Sequence, residues 1–124
     1  PAPQLHPTTQ YRYGARTKRA REAHARDTAE WRRARLEKRF PPEHRQALLD
    51  EVASGAGVRL AAERYGITHQ AVYAWAAWDP GFADALDTAQ REAAPADTPH
   101  GTENGYRHYG CQCRACRAVH HPKR

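Results

Sequence analysis

The feature that most limits the fold of this chain is the regular spacing of helix-breaking residues between positions 41 and 94. Pro41-Pro42, Gly55, Gly66 and Asp79-Pro80 divide this stretch into short segments. Proline lacks a backbone donor and glycine loses much conformational entropy in a helix, so each of these positions favours a helix end. The segments between them carry apolar residues at helical spacing. The sequence therefore predicts an all-α fold built from short helices.

Each predicted helix has its own apolar residues. The residues at helical spacing in the first segment are Leu48, Leu49, Val52 and Ala53. The apolar residues of the second segment are Val58, Leu60, Ala61 and Ala62, and those that form a stripe in the last are Phe82, Ala85, Leu86 and Ala89. Thr68 is placed to cap the helix that follows Gly66, and Pro80 stands where the first turn of a helix tolerates proline. We expect one small helical domain over residues 43–94.

Charge is distributed unevenly along the chain. The net formal charge is +7 over residues 1–42, −5 over residues 43–98 and +4 over residues 99–124. Basic ends around an acidic middle indicate arms that contact a polyanion while the middle folds. The predicted parts are a flexible arm (1–14), a basic N-terminal helix (15–40), the helical domain (43–94), a linker (95–99) and a cysteine-containing module with a basic tail (100–124).

The segment VRLAAERYGITHQAVYAW resembles the helix-turn-helix motif. Ala61 and Ala62 stand where the two helices of the motif cross, and Gly66 stands in the turn, where a left-handed backbone is needed. Apolar residues follow at the flanking and inner-face positions, namely Tyr65, Ile67, Val72 and Trp75. The resemblance implies a tri-helical core that binds double-stranded DNA.

The longer stretch ITHQAVYAWAAWDPGFADALDTAQREA is similar to the N-terminal module of phage small terminase subunits and related phage-type DNA-binding proteins. The likeness covers roughly residues 43–94. It implies that the second helix of the motif turns five residues toward the DNA groove: Thr68, His69, Gln70, Tyr73 and Ala74. None of them is Arg or Lys, although glutamine can bond adenine. Phosphate contacts are therefore expected from the N-terminal residues Arg12, Arg16, Lys18, Arg19, Arg32 and Arg33.

All three cysteines lie within six residues, as Cys111, Cys113 and Cys116. An odd number of cysteines this close together does not suit a disulfide framework, whereas sulfurs at such spacing are frequent ligands of structural zinc. Three thiols left without a metal would be prone to oxidation. We therefore expect a zinc site, and spacing alone leaves the fourth ligand open between His100 and the pair His120-His121.

The block HGTENGYRHYGCQCRAC resembles a small element that recurs in actinobacterial and actinophage proteins, with the pattern H-G-T-x2-G-Y-x3-G-C-x-C-x2-C. Every named position of that pattern is matched here. The resemblance implies that His100 is the fourth ligand of the zinc ion. It also implies a small irregular zinc knuckle in the module at residues 100–124.

Several classes of protein are not expected. No apolar run approaches the length of a membrane span, and the N-terminal residues lack the apolar region of a secretory signal, so we expect a cytoplasmic protein with no membrane partner. A nuclease of the His-Asn-His type is suggested by His100, Asn104, His108 and the pair His120-His121. Its active site needs such a pair followed by a helix with Asn and His, and here the pair stands at the end of the sequence, so this class is not expected. Three thiolates and one imidazole leave no open metal position, so the chain is not expected to be an enzyme.

These observations predict a small DNA-binding protein of phage or actinobacterial type, acting as a regulator or architectural protein with zinc as a structural cofactor. Two alternatives stay open. One is a small terminase-like packaging protein, which would form a homo-oligomer. The other is an adaptor that docks on a host protein such as the transcription machinery, with the helices as scaffold. Salt-dependent binding to duplex DNA is expected of the regulator and of the packaging protein, and it separates both from the adaptor.

Overall fold

The computed structural model describes residues 17–121, and within them the chain is all-α, as predicted. The helices of this range are α1 (Lys18–Arg39), α2 (Pro42–Ala53), α3 (Val58–Glu63), α4 (His69–Trp78), α5 (Pro80–Ala93), α6 (Glu103–Arg107) and α7 (Arg114–His120). The predicted flexible arm with Arg12, and also Arg16, lie outside the described residues. None of the helices in the described range is both long and apolar enough to cross a membrane.

The chain divides into two compact units, one ending at Lys38 and the other beginning at Arg39. Helix α1 makes up nearly all of the described part of the first unit. The hydroxyl of Thr17 accepts the backbone N–H of Ala20 at 3.1 Å and caps its first turn. Ala20 and Ala23 are buried, whereas Trp31 is 60% exposed. The predicted phosphate contacts on α1 are all exposed: Lys18, Arg19, Arg32 and Arg33.

The core of the second unit forms where α5 packs against α2 and α4, with α3 between α2 and α4 along the chain. Its largest buried side chains come from each of these helices and from the segments beside them: Phe40, Leu48, Val52, Val58, Ile67, Val72, Trp75, Phe82 and Leu86. Ala61 and Ala62 of α3 are completely buried, and α3 contacts both α2 and α4.

The turn between α3 and α4 has the predicted local chemistry. Gly66 adopts a φ of +69°, in the left-handed region that side-chain-bearing residues rarely occupy. The hydroxyl of Thr68 accepts the N–H of Ala71 at 3.2 Å and caps α4. Asp79 caps α5 in the same way, through the N–H of Phe82 at 3.1 Å. These contacts set the directions of α4 and α5.

Two apolar residues have an exposure that their place in the sequence does not indicate. Leu60 is 56% exposed, because Val58, Ala61 and Ala62 form the inner face of the short helix α3. Phe40 follows the polar helix α1 and is nevertheless fully buried. Its ring meets Phe82 edge-on, with ring centres 5.8 Å apart. Phe40 thus belongs to the core of the second unit.

The C-terminal segment is more regular than the expected knuckle, because it contains the short helices α6 and α7. The hydroxyl of Thr102 accepts the N–H of Gly105 at 3.0 Å and caps α6. Within the stretch expected to be a linker, Thr98 is buried and its hydroxyl donates to the Pro95 carbonyl at 2.6 Å. This segment belongs to the same compact unit as helices α2 to α5.

Truncation of a core leucine should be far more costly than the same truncation on the outer face. We expect Leu48→Ala to lower the free energy of unfolding by about 2–5 kcal/mol, since it leaves a cavity in the packed core. Leu60→Ala is the matched control and should change it by less than about 0.5 kcal/mol. Urea unfolding followed by circular dichroism measures both. Equal losses would contradict the assignment of the inner face of the domain.

Candidate metal centre

Four side chains from the C-terminal segment meet in one small cluster. The donor atoms of His100, Cys111, Cys113 and Cys116 all lie within 4.8 Å of one another. The Nδ1 atom of His100 lies 3.3 Å from the Cys111 sulfur and 3.5 Å from the Cys113 sulfur. The three sulfurs are buried, with at most 2% exposure. Four converging donors of this kind are placed to hold one metal ion.

The four donors come from different positions around the helices α6 and α7. His100 stands just before α6, Cys111 and Cys113 stand in the loop between α6 and α7, and Cys116 lies in the first turn of α7. The backbone N–H of Gly101 points to the Cys116 sulfur at 3.4 Å. The N–H of Cys111 donates to the Gly105 carbonyl at 3.0 Å, which ties the loop to α6. Contacts of this outer kind orient metal ligands.

Burial disfavours the thiolate form of a cysteine, which is the form that binds a metal. Burial raises the pKa of the Cys111 thiol to about 12. Burial also raises the pKa of Cys113, but the backbone N–H of Cys116 and the neighbouring sulfurs stabilise its thiolate, so the net effect is a lowered pKa. A cation at the centre of the cluster favours the thiolate at every sulfur, because it supplies the opposite charge that the buried site lacks.

Gly105 is required at the cluster by close packing. A Cβ atom at this position would stand 2.5 Å from the Pro99 carbonyl oxygen and 3.1 Å from the Cys116 sulfur. The backbone of α6 can therefore approach both groups only without a side chain at residue 105. This explains a glycine within a helix, where glycine is otherwise unfavourable.

The other histidines proposed as the fourth ligand have different partners. The Nδ1 atom of His120 lies 2.6 Å from a Glu103 carboxylate oxygen, and its ring stacks on Tyr106 at 3.9 Å. The hydrogen bond to His120 lowers the pKa of the Glu103 carboxyl group. His121 is exposed and meets the Tyr106 ring edge-on. Of the three candidates, His100 is the one that the structure brings to the sulfurs.

The cluster formed by His100 and the three cysteines lies against the helical domain. Ala94, at the end of α5, packs on the sulfurs together with Tyr106 and Ala115. The Asp87 carboxylate accepts the backbone N–H of Arg114 at 2.8 Å and so caps α7 from another helix. The Arg114 guanidinium also pairs with Asp84 at 2.9 Å, and this ion pair raises the pKa of Arg114. The sequence did not indicate this docking contact, since its partners are far apart along the chain.

The residues predicted to face a DNA groove are Thr68, which caps α4, and four residues in the first two turns of that helix. Thr68 and Gln70 are exposed, whereas His69, Tyr73 and Ala74 are half-buried. The Tyr73 hydroxyl accepts a hydrogen bond from the Gln90 amide at 3.0 Å. The Arg117 guanidinium lies 4.3 Å from the centre of the Tyr73 ring. Tyr73 therefore joins α4 to α5 and to residues 100–121, which carry the four donors and are called the metal-binding segment below. The sequence did not predict this role.

A histidine-to-alanine series tests which imidazole binds the ion. Protein purified without chelator should carry about one metal ion per chain. His100→Ala should lower metal affinity by at least about 100-fold, since even outer contacts of a site contribute 10–100-fold. His120→Ala and His121→Ala are the controls and should retain the ion. Elemental analysis and competition with a coloured chelator measure the effect. Retention of full affinity by His100→Ala would contradict this ligand set.

Comparison of the chain with protein-family models, with curated proteins and with solved structures found no significant match. The resemblances to the helix-turn-helix motif, to the small terminase module and to the cysteine-containing element therefore stay predictions that rest on the residues quoted for them.

Proposed function

We propose that this chain is a small DNA-binding protein, a regulator or architectural protein of phage or actinobacterial type. In this proposal α4 enters the major groove, α3 crosses the backbone beside it, and a structural zinc ion holds the C-terminal segment on the helical domain. This is the docking geometry of helix-turn-helix proteins, in which the N-terminal residues of the second helix contact base edges.

The observation that carries the DNA-binding proposal is the exposed start of α4 after a left-handed glycine. Thr68 and Gln70 are exposed there, and Gly66 has a φ of +69°. No residue in the described part of the chain hydrogen-bonds the Gln70 side-chain amide. A free glutamine amide at this position suits bidentate contact with adenine in the major groove.

The charge of α1 supports the same proposal. Helix α1 contains nine Lys and Arg against four Asp and Glu between residues 18 and 39. Phosphate contacts from exposed basic side chains supply most of the sequence-independent affinity of DNA-binding proteins. Lys18, Arg19, Arg32 and Arg33 are exposed and suit this role.

The donor set supports zinc as the ion. Tetrahedral zinc with sulfur at about 2.3 Å and nitrogen at about 2.0–2.1 Å separates its ligand atoms by roughly 3.6–3.8 Å. The separations of 3.3 and 3.5 Å between the His100 nitrogen and two of the sulfurs are close to that value. Three thiolates and one imidazole complete a tetrahedron and leave no open position, so the proposed zinc is structural and not catalytic.

Elemental analysis tests the identity of the ion. We expect zinc at about one equivalent per chain, and Cys113→Ser should remove most of it, because the thiolate is the stronger zinc ligand. Chelation should destabilise α6 and α7 more than α2 to α5, as read by amide hydrogen exchange. An iron–sulfur absorption spectrum, or a metal-free protein from a chelator-free preparation, would contradict the zinc proposal.

Salt and sequence dependence test DNA binding. Fluorescence anisotropy with random duplex DNA should show binding that weakens steeply as salt rises, with a slope of about −0.9 per phosphate contacted. Gln70→Ala should reduce the preference for a sequence selected from a random pool by about 1–3 kcal/mol. Arg32→Ala with Arg33→Ala should instead weaken binding to all sequences and reduce the salt slope.

The matched control for Gln70→Ala is Gln46→Ala, which removes another exposed glutamine, on α2. It should leave both affinity and sequence preference unchanged. Light scattering on the same complexes measures their stoichiometry and so tests assembly as an oligomer. The proposal fails when the metal-loaded chain has no affinity for duplex DNA at low salt, a result that would favour the protein-interaction adaptor.

A further inference from the structure

A cleft of about 350 Å³ lies between the start of α4 and the metal-binding segment. Its polar lining includes two arginines, two histidines and two tyrosines: Arg59, His69, Tyr73, Tyr106, Arg117 and His121. None of the described residues that line it carries a carboxylate. The cleft therefore has a positive lining, although the helical domain that forms one side of it is acidic overall.

The two arginines of this cleft have no acidic partner among the described residues. Arg39 and Arg45 of the same unit also lack one there, but they donate to the backbone carbonyls of Gly66 and Phe40. Elsewhere in the second unit, Arg64 pairs with Glu51, Arg91 with Asp87, Arg107 with Glu103 and Arg114 with Asp84. Within residues 17–121, no carboxylate lies within ion-pair distance of Arg59 or Arg117. Two guanidinium groups that share a cleft without a counter-charge favour the binding of an anion.

Arg117 is held in place by contacts with neutral groups. Its Nε–H donates to the Gln112 carbonyl at 2.8 Å, and its guanidinium lies over the Tyr73 ring. These contacts use one N–H donor and one face of the guanidinium plane. The remaining donors suit the forked hydrogen bonds that arginine makes to phosphate oxygens. The group is thus oriented before any ligand binds.

The cleft is continuous with the surface that we propose to read DNA. His69 and Tyr73 belong both to the predicted groove-facing set and to the cleft lining. Arg59 and His69 also line the adjoining depression, which includes Thr68 and Gln70. Arg59 is in the first turn of α3, and the first helix of such a pair crosses the DNA backbone.

We propose that this cleft binds a phosphate group of the DNA backbone, at the edge of the groove that α4 enters. The inference rests on the proposed DNA-binding function and adds to it a specific contact. The metal-binding segment supplies Arg117, and α3 supplies Arg59, so two parts of the chain provide the cations that α4 itself lacks. The phosphate contact fixes the depth and register of α4 without reading a base.

A charge-matched pair of double variants tests the cleft in the full-length, metal-loaded protein. We expect Arg59→Ala with Arg117→Ala to weaken binding to random duplex DNA about tenfold at moderate salt, and to reduce the salt slope by about 0.9, the value for one phosphate. The control, Arg64→Ala with Arg107→Ala, removes the same charge from two exposed arginines that pair with acids outside the cleft. It should leave the slope unchanged. Arg59→Lys with Arg117→Lys should recover most of the slope.

The outcomes separate this inference from the function on which it rests. If wild-type protein binds DNA and both double variants have the same slope, the cleft assignment is wrong while DNA binding stands. If wild-type protein does not bind DNA, both fail. Should Arg117→Ala lower the metal content, Arg59→Ala alone carries the test and should itself reduce the slope. Tighter binding of inorganic phosphate than of duplex DNA would assign the cleft to a small anion and overturn the proposal.

Discussion

The convergence of three cysteine sulfurs and one imidazole nitrogen is the constraint on which the C-terminal part of this structure depends. Helices of five and seven residues are too short to be stable in water by themselves. The residues that pack on the sulfurs are Ala94, Tyr106 and Ala115, which bury little apolar surface. Four ligands around one ion can replace the missing core, because each ties a separate point of the segment to the same centre.

Polar contacts rather than a broad apolar interface connect the metal-binding segment to the helical domain. Asp87 caps α7 from α5, and Tyr73 on α4 contacts both Gln90 and Arg117. Tyr73 therefore connects α4, the proposed reading helix, to the segment that carries the proposed ion site. A change in the position of α7 alters the surroundings of α4 directly, through the Tyr73 ring.

Local signals in the sequence predicted much of the helical domain and the metal cluster, because each acts over a few residues. Gly66 and Thr68 marked a turn and the next helix start, and the spacing of the cysteines marked three of the four donors that converge. What escaped prediction depends on distant partners or on very short helices. Phe40 reads as the end of a polar helix until its contact with Phe82 is known. The capping of α7 by Asp87 joins residues far apart in the chain, and α6 and α7 are too short to show a helical period.

Arg114 contacts Asp84 and Asp87, so the basic C-terminal block of the sequence pairs with the acidic block before it in the folded chain. Residues 43–98 have a net charge of −5 and residues 99–124 a net charge of +4, so the second block largely offsets the first within one folded unit. A fragment of residues 43–94 alone would carry four Arg against eight Asp and Glu, and it would lose Arg114 as a counter-charge of both aspartates. It would be an acidic particle, which a polyanion repels. The nearly balanced charge of the folded unit therefore depends on the C-terminal segment and is lost when the helical domain is isolated.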